Sequence, residues 1–329
     1  MAVYTTLTEA DVRALLAQYP CGDYLSHTGI TGGIENTNYY VLTTAGRWVL
    51  TVFEVLNAQQ LPYYLELTAH LQAQGLSVSA PCRLNNGQLM TVLHGKPAAL
   101  AQCLAGSDVM PPTIAQCAGV GSLLAHMHQA THTFTLKQPN LRGLAWWQAT
   151  APTLYRHVTP QQAALLADEL AVQTRYAQSS DYAALPNGAV HADLFCNNVL
   201  IAADDSAGAI DFFFAGDDSY VFDLCVTLND WCLARDCDLQ AKDDKIRSSG
   251  ELHPQRLTAF LKAYTAVRPL CTAEQAALPM MARAAALRFW ISRLNDWFAP
   301  RAASQLVPHD PTHFERVLRA RRNTPLKPH

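Results

Sequence analysis

The sequence predicts an α+β chain of two unequal lobes. The smaller, residues 1–105, is built on an antiparallel sheet with one packed helix, and the larger, 106–329, is mainly helical. Three observations lead there. Before residue 105 the apolar residues fall in short runs broken by glycine. After Pro111-Pro112 they recur at three- and four-residue steps. The helical part is interrupted at 190–212 by two short apolar runs around a polar turn.

Taken in order, Thr8 is an N-cap for a first helix through Val12, Leu15, Leu16 and Tyr19. From His27 the pattern changes to strands. The polar glycine loop Thr31-Gly32-Gly33-Ile34-Glu35-Asn36-Thr37-Asn38 precedes Tyr39–Thr43, a turn at Ala45-Gly46 and Trp48–Phe53. A glycine loop inside a hairpin does not head a helix, so neither the Rossmann nor the Walker pattern fits. A helix from Gln60 to Gln74 carries Glu66. Strands Leu89–Leu93 and Pro97–Leu104 turn at Gly95-Lys96 and end at a hinge, Ala105-Gly106.

The second lobe reads as helices over Ile114–Thr131, Pro160–Ser179, Leu257–Val267 and Thr272–Phe298, with a further one holding Asn229, Asp230 and Trp231. His128 and His132 are four apart, but no acidic residue sits between them as in His-Glu-x-x-His, so His126, His128 and His132 read as packed or surface histidines.

Half of the 329 residues are hydrophobic, enough for a sizeable core, and the net charge of −3 offers no positive field for nucleic acid or an anionic membrane. Arg316, Arg319, Arg321 and Arg322 read as a solvated terminal helix face. No charged-then-apolar leader follows Met1, and no apolar run reaches the ~18 residues of a membrane span. A soluble, cytoplasmic protein is expected. The nine cysteines form no Cys-x-x-Cys pair and sit mostly in apolar company, which predicts reduced, buried thiols.

The chemistry concentrates in the interrupting stretch. Runs Val199–Ala202 and Ala207–Phe212 flank Asp204, Asp205, Ser206 and Gly208, the composition of a β-hairpin. Folding about Asp204-Asp205 makes Asn198 face Asp211. Facing residues lie about 4.5 to 5.5 Å apart at Cα, so a carboxamide and a carboxylate would converge at the hairpin mouth. Two hard oxygen donors suit Mg²⁺, which keeps water and substrate phosphate as its other ligands. Asp193 enters the same mouth, a base beside a metal.

His191-Ala192-Asp193 with Asn198, then a hairpin, then Ile210-Asp211-Phe212, resembles the aminoglycoside phosphotransferase and choline kinase superfamily, whose fold is protein-kinase-like. The resemblance runs from Gly32-Gly33 to Asp223. It implies ATP as phosphoryl donor, bound between the lobes, with Mg²⁺ held by Asn198 and Asp211, and Asp193 as the catalytic base. Gly32, Gly33 and Thr51 would meet the nucleotide, with Gln102 and Leu104 near the adenine at the hinge. Asp223 would brace the catalytic loop, and His191 is likewise structural.

The finer resemblance is to the homoserine kinase branch. It is carried by Gly33-Ile34-Glu35-Asn36-Thr37-Asn38-Tyr39, Val49-Leu50-Thr51, Gly95-Lys96-Pro97-Ala98, Leu228-Asn229-Asp230-Trp231-Cys232 and Arg288-Phe289-Trp290-Ile291-Ser292-Arg293. It implies phosphorylation of the L-homoserine side-chain hydroxyl to O-phospho-L-homoserine, on the way to threonine. A zwitterionic acceptor asks for a cation and an anion. Arg142, Arg288 and Arg293 are candidates for its carboxylate. Glu35, Asp217 and Asp230 are candidates for its ammonium, and Asn36 is a further candidate contact. One departure stands out: the strand WVLTVF offers Thr51 where a kinase carries the lysine that pairs with a helix Glu, so the clamp expected at Glu66 is absent or replaced. Two rivals follow, a kinase of another alcohol such as choline, an aminoglycoside or a methylthio sugar, and a nucleotide-binding pseudokinase.

Overall fold

Thr8 starts the first helix as its spacing predicts. Its hydroxyl accepts from Asp11 N (3.2 Å) while Asp11 Oδ2 accepts from Thr8 N (2.8 Å), a reciprocal cap that satisfies amides no helix turn can reach. The structure, a computed structural model, describes residues 4–30, 36–235, 248–299 and 309–326. The described residues form two compact units that part between Ala105 and Gly106. Among them, no helix is long and apolar enough to cross a membrane.

The first unit runs α1 (Glu9–Leu16), β1 (Tyr24–Gly29), β2 (Thr37–Thr43), β3 (Gly46–Val52), α2 (Leu61–Ala73), β4 (Thr91–Leu93) and β5 (Lys96–Gln102). The strands form one antiparallel sheet in the order β1-β2-β3-β5-β4. Alternation along the strands gives the sheet two different faces. Tyr39, Val41, Leu50, Val52 and Leu100 pack with Val12, Leu15 and Leu16 of α1 in one buried core. The other face pairs Asn38 with Thr51, Thr51 with Ala99, and Val49 with Ala101. Thr51 donates to Asn38 Oδ1 (2.7 Å). Glu66 lies near Arg83 (3.7 Å) at the surface, and the lysine–glutamate pair of this unit is Lys96 with Glu54, whose carboxylate also accepts from Thr5 and Thr37.

The second unit contains α3 (Ile114–Ala130), α4 (Leu144–Leu154), α5 (Pro160–Ala177), α6 (Ser180–Ala183), β6 (Asn187–Val190), β7 (Val199–Ile201), β8 (Ala207–Ala209) and β9 (Gly216–Ser219). It continues with α7 (Tyr220–Trp231), β10 (Leu233–Arg235), β11 (Ser248–Leu252), α8 (Pro254–Val267), α9 (Thr272–Phe298) and α10 (Thr312–Asn323). Every residue of α7 is buried, which makes it the axis of this unit. Gly121 of α3 is required by its neighbour, since a Cβ there would stand 2.4 Å from the Phe260 carbonyl oxygen of α8.

Two small antiparallel pairs deliver the loops of interest. β6 pairs with β9, Val190 against Gly216, and β7 pairs with β8. Ser107 extends the second pair by exchanging backbone bonds with Ile201 (3.2 and 2.9 Å).

Three expectations are corrected here. The β7–β8 register is Val199↔Ala209, Leu200↔Gly208 and Ile201↔Ala207, one residue off the expected fold. Asn198 therefore faces Ile210, whose N–H donates to the Asn198 carbonyl (3.0 Å), and Asp211 lies one residue beyond. The cause is the turn. Ala202 N donates to Ser206 O (2.9 Å) and Asp205 stands at φ 62°, so three residues close the hairpin, the last left-handed, in place of two.

The second correction concerns the arginines of α10. Arg319 pairs with Glu315 and Arg322 with Asp168, but Arg321 is 1 % exposed and donates to Asn229 Oδ1 (2.8 Å) and the Gly250 carbonyl (3.1 Å). That side chain is an internal strut.

The third concerns the thiols. The cysteines of the described residues are free, and Cys21, Cys117, Cys196, Cys225 and Cys232 are buried as expected. Cys82 and Cys103 are only half-buried, however, and Cys271 is exposed because it stands just outside α9 as its N-cap. Cys237 lies outside the described residues.

Candidate active site

The loop between β6 and β7 is held by α7 at both ends. At its start, Asp223 accepts from His191 N (3.0 Å) and Ala192 N (2.7 Å). Ala192 stands at φ 61°, a conformation an L-residue holds only where its surroundings impose it, and the Asp223 bond supplies that constraint. At its end, Trp231 Nε1 donates to Leu194 O (3.1 Å) and Asp230 Oδ2 accepts from Cys196 N (2.8 Å).

Asp223 is itself anchored. His128 Nε2 lies 3.0 Å from its Oδ2, and Tyr264 Oη lies 2.7 Å from His128 Nδ1; Arg268 donates to Tyr264 Oη (3.0 Å) and to Glu274 (2.8 Å). With Tyr264 accepting from Arg268, its own hydroxyl proton goes to His128 Nδ1. Burial lowers the pKa of His128 against the pull of Asp223, which fits the neutral ring. His191 is held by burial in the same form. Its Nε2 donates to Ile210 O (3.0 Å) and its ring lies 4.4 Å from Phe212, tying the loop to the segment after β8.

Asp193 follows. Asn198 Nδ2 donates to its carbonyl (2.8 Å) and to its Oδ2 (3.1 Å), and Arg288 Nη1 of α9 stands 3.7 Å from its Oδ1. Burial is the largest influence and raises the carboxyl. Arg288 and Arg293 act downward, Asp211 acts upward, and the pKa comes to about 7. A carboxyl near neutrality can take a proton at physiological pH.

Asp211, which raises the pKa of Asp193 by its charge, is exposed at φ 62°. Asn198 commits its amide N–H groups to Asp193, and its Oδ1, which accepts from Asn197 (3.1 Å), keeps a lone pair to offer. One carboxylate and one carboxamide oxygen beside a base make an all-oxygen donor set, which fits a hard divalent cation carried by phosphate. No group of three or more His, Cys, Asp or Glu able to hold a metal exists among the described residues.

Of the remaining candidates, Arg288 and Arg142 come together through a residue the sequence did not single out. Phe214 lies 5.3 Å from the Arg288 guanidinium and 5.8 Å from that of Arg142, which also lies 4.6 Å over Trp146. Arg293 stands 5.0 Å over Phe314. The carboxylate of Asp230 is engaged on both oxygens, by Cys196 N and by Arg235 (2.6 Å), and that of Asp217 by Lys137 (3.2 Å) and Gln138 N (2.9 Å).

In the first unit Thr51 lies on the sheet face away from the α1 core, Gln102 ends β5 opposite Trp48, and Leu104 follows on the connecting segment. Asn36 is 8 % exposed, and its Oδ1 has no hydrogen-bond partner among the described residues. Gly32, Gly33 and Glu35 lie outside the described residues. Phe214 gave no signal because it is the third of three successive phenylalanines and nothing in the run selects it. Arg142 and Trp146 at i, i+4 did offer one, the spacing that stacks a guanidinium on an indole.

A buried carboxyl near neutrality, held by a carboxamide and near a second carboxylate, is the kind of arrangement that phosphoryl transfer to a hydroxyl uses, and the relatives of the chain show its class to be that of the phosphotransferases. The model of the phosphotransferase enzyme family matches residues 26–270. A homoserine kinase of Janthinobacterium sp. (strain Marseille) is 47 % identical over 98 % of this chain and 96 % of its own. One of Burkholderia multivorans is 45 % identical over 100 % and 98 %. Among solved structures, the amicoumacin kinase hAmiN in complex with AMP-PNP, Ca²⁺ and Ami superposes with a TM-score of 0.68 at 17 % identity, covering 98 % of this chain and 96 % of that one. A choline kinase of Cryptosporidium parvum gives 0.68 at 12 % identity, with 96 % of each chain covered. The chain belongs to the phosphotransferase enzyme family, in the branch of the homoserine kinases.

Proposed function

We propose that the protein transfers the γ-phosphoryl group of ATP to the side-chain hydroxyl of L-homoserine, giving ADP and O-phospho-L-homoserine. The observation that carries the reading is Asp193: a carboxyl at pKa about 7, fixed by Asn198 on one oxygen and faced by Arg288 on the other. Asp193 accepts the hydrogen bond of the acceptor hydroxyl, aims its oxygen at phosphorus and takes its proton as the new P–O bond forms and the β–γ bridging bond breaks. Asn198 and Asp211 would hold Mg²⁺, whose charge, when bound, offsets that of the phosphates. Among the described residues of the first unit, Thr51, Gln102 and Leu104 are the proposed nucleotide contacts. The identity of the relatives supports L-homoserine as acceptor.

The test is Mg-dependent ADP release with L-homoserine, D-homoserine, L-serine and choline, with Asp193→Asn in parallel. Turnover confined to L-homoserine, and lowered about 10² to 10⁴-fold in the variant, is the expected result. Turnover with choline alone would assign the chain a different acceptor, and nucleotide binding without turnover of any alcohol would make it a pseudokinase.

A further inference from the structure

L-Homoserine carries two charges besides the hydroxyl that is phosphorylated, and the partner of one can be named: we infer that Arg293 takes the acceptor's carboxylate and that Phe314 seats the guanidinium for it. This rests on the homoserine reading above.

Two methylenes separate the hydroxyl of L-homoserine from its α-carbon. A cation that binds the carboxylate must therefore stand close enough for its charge to reach Asp193. The arginines with the largest such effect on Asp193 are Arg288 and Arg293. Arg288 is committed to the base itself. Its Nη1 stands 3.7 Å from Asp193 Oδ1, its guanidinium lies 3.7 Å over the Phe289 ring, and 3 % of its side chain is exposed. Turned toward a substrate carboxylate, it would leave Asp193 buried without that cation, the costly half of a broken pair.

The carboxylates that act on Arg293 are those of Asp230, Asp193, Asp310 and Asp296, and three of them pair elsewhere. Asp193 faces Arg288, Asp230 holds Arg235 (2.6 Å), and Asp310 lies 3.6 Å from Arg316. Asp296 is exposed, where water and salt screen its charge. Arg293 itself makes no hydrogen bond or ion pair among the described residues, and its guanidinium rests 5.0 Å over Phe314. Burial lowers its pKa although all four carboxylates act upward. The cation is thus under-compensated, and an anion brought beside it is favoured. The histidines nearby add no positive charge near pH 7, since burial lowers both His309 and His313, the latter to about 4.

The seat is fixed by packing. Phe314 is fully buried and stacks on Phe195 (5.7 Å between ring centroids) and on Phe289 (5.1 Å). Phe195 follows Asp193 by two residues, so one aromatic stack joins the base to the support of the cation. A ring under a guanidinium leaves the N–H edges for an acceptor in its plane. An Arg fork on a carboxylate makes two charge-assisted hydrogen bonds, the geometry that separates such an acceptor from an amino alcohol.

The test compares kcat/KM for L-homoserine and for 3-aminopropan-1-ol, the same alcohol and amine without the carboxylate, in wild type, Arg293→Met, Arg293→Lys and Phe314→Leu. The charge of Arg293 also acts on Asp193, but that effect is common to both acceptors and cancels in the ratio. Arg293→Met is expected to raise KM for L-homoserine and to reduce the ratio of kcat/KM for L-homoserine to that for the amino alcohol by about 10- to 100-fold. Arg293→Lys, which keeps the charge without the planar fork, restores part of that ratio, and Phe314→Leu lowers it to an intermediate degree. KM for MgATP and Tm report whether each variant is folded. Should Arg293→Met unfold, Arg293→Lys decides, a ratio below that of wild type supporting the inference. If kcat/KM for both acceptors falls in step in the folded variants, with wild type active on L-homoserine, Arg293 serves only Asp193 and this inference alone is overturned. Wild type that releases no ADP with L-homoserine overturns the functional reading and this inference with it.

Discussion

Asp193 is a group whose raised pKa and structural cost have one origin, its burial. With the folded pKa near 7 and the unfolded value near 3.8, the fold binds the extra proton between those values. Stability from this residue is therefore fully present below about pH 4 and lost as pH rises through 7. Asp193→Asn, a neutral isostere, is expected to raise Tm over wild type at pH 8 and to lose that advantage near pH 4. The difference at pH 8 is on the order of 2–4 kcal/mol. The activity runs the other way: kcat/KM for L-homoserine falls on the acid side with an apparent pKa near 7. With Asp211 as a ligand of Mg²⁺, as proposed, the acid limb of kcat is expected to lie lower, because the added positive charge favours the ionised base. A kcat/KM profile flat from about pH 6 to 8 would remove Asp193 from the role of base. The order His191, Asp193, Asn198, Asp211 was legible because those residues are close along the chain. Arg142, Trp146 and Phe214 were not legible as a group, because strand pairing at β9, not spacing, brings Phe214 to the other two.

At the scale of elements, α7 does most of the arranging. One buried helix supplies Asp223, Asp230 and Trp231, so the loop that carries Asp193 inherits the rigidity of the helix. The helix itself was legible from its apolar run, but the closing of the loop by Asp230 was not, since that contact joins residues 34 apart in the chain. The hairpin register failed for a local reason, the left-handed Asp205, which composition alone does not distinguish from a two-residue turn. Between α5 and α9, Arg283 grips the fully buried Glu169 with Nη2 at 2.6 Å and Nε at 3.0 Å. Arg283→Leu leaves that carboxylate without its main cation and is expected to cost on the order of 3 kcal/mol in urea melts. Glu169→Leu combined with Arg283→Leu should recover much of the loss. A double variant as unstable as the single one would show that packing, and not the stranded charge, sets the cost.

For the whole molecule, the two compact units each hold buried apolar residues, and a ligand that binds only the folded chain stabilises it by mass action. A non-hydrolysable ATP analogue with Mg²⁺ at about 100 times its Kd is expected to add about 2.7 kcal/mol, read as a rise in Tm. Asp211→Ala should abolish the part of that rise which depends on Mg²⁺, and a rise indifferent to both Mg²⁺ and Asp211 would remove Asp211 as a metal ligand. The α+β class and the change of pattern near residue 105 were visible in the periodicity of the chain, because strands and helices bury their apolar residues at different intervals. The last described helix adds a consequence of another kind. Phe314 of α10 stacks on Phe195 of the loop between β6 and β7 and on Phe289 of α9, while Arg321 reaches back to Asn229 of α7. During synthesis the segment that bears Asp193 emerges well before the helix that covers it. A nascent chain therefore carries Asp193 well before the helix that packs on its loop has been made.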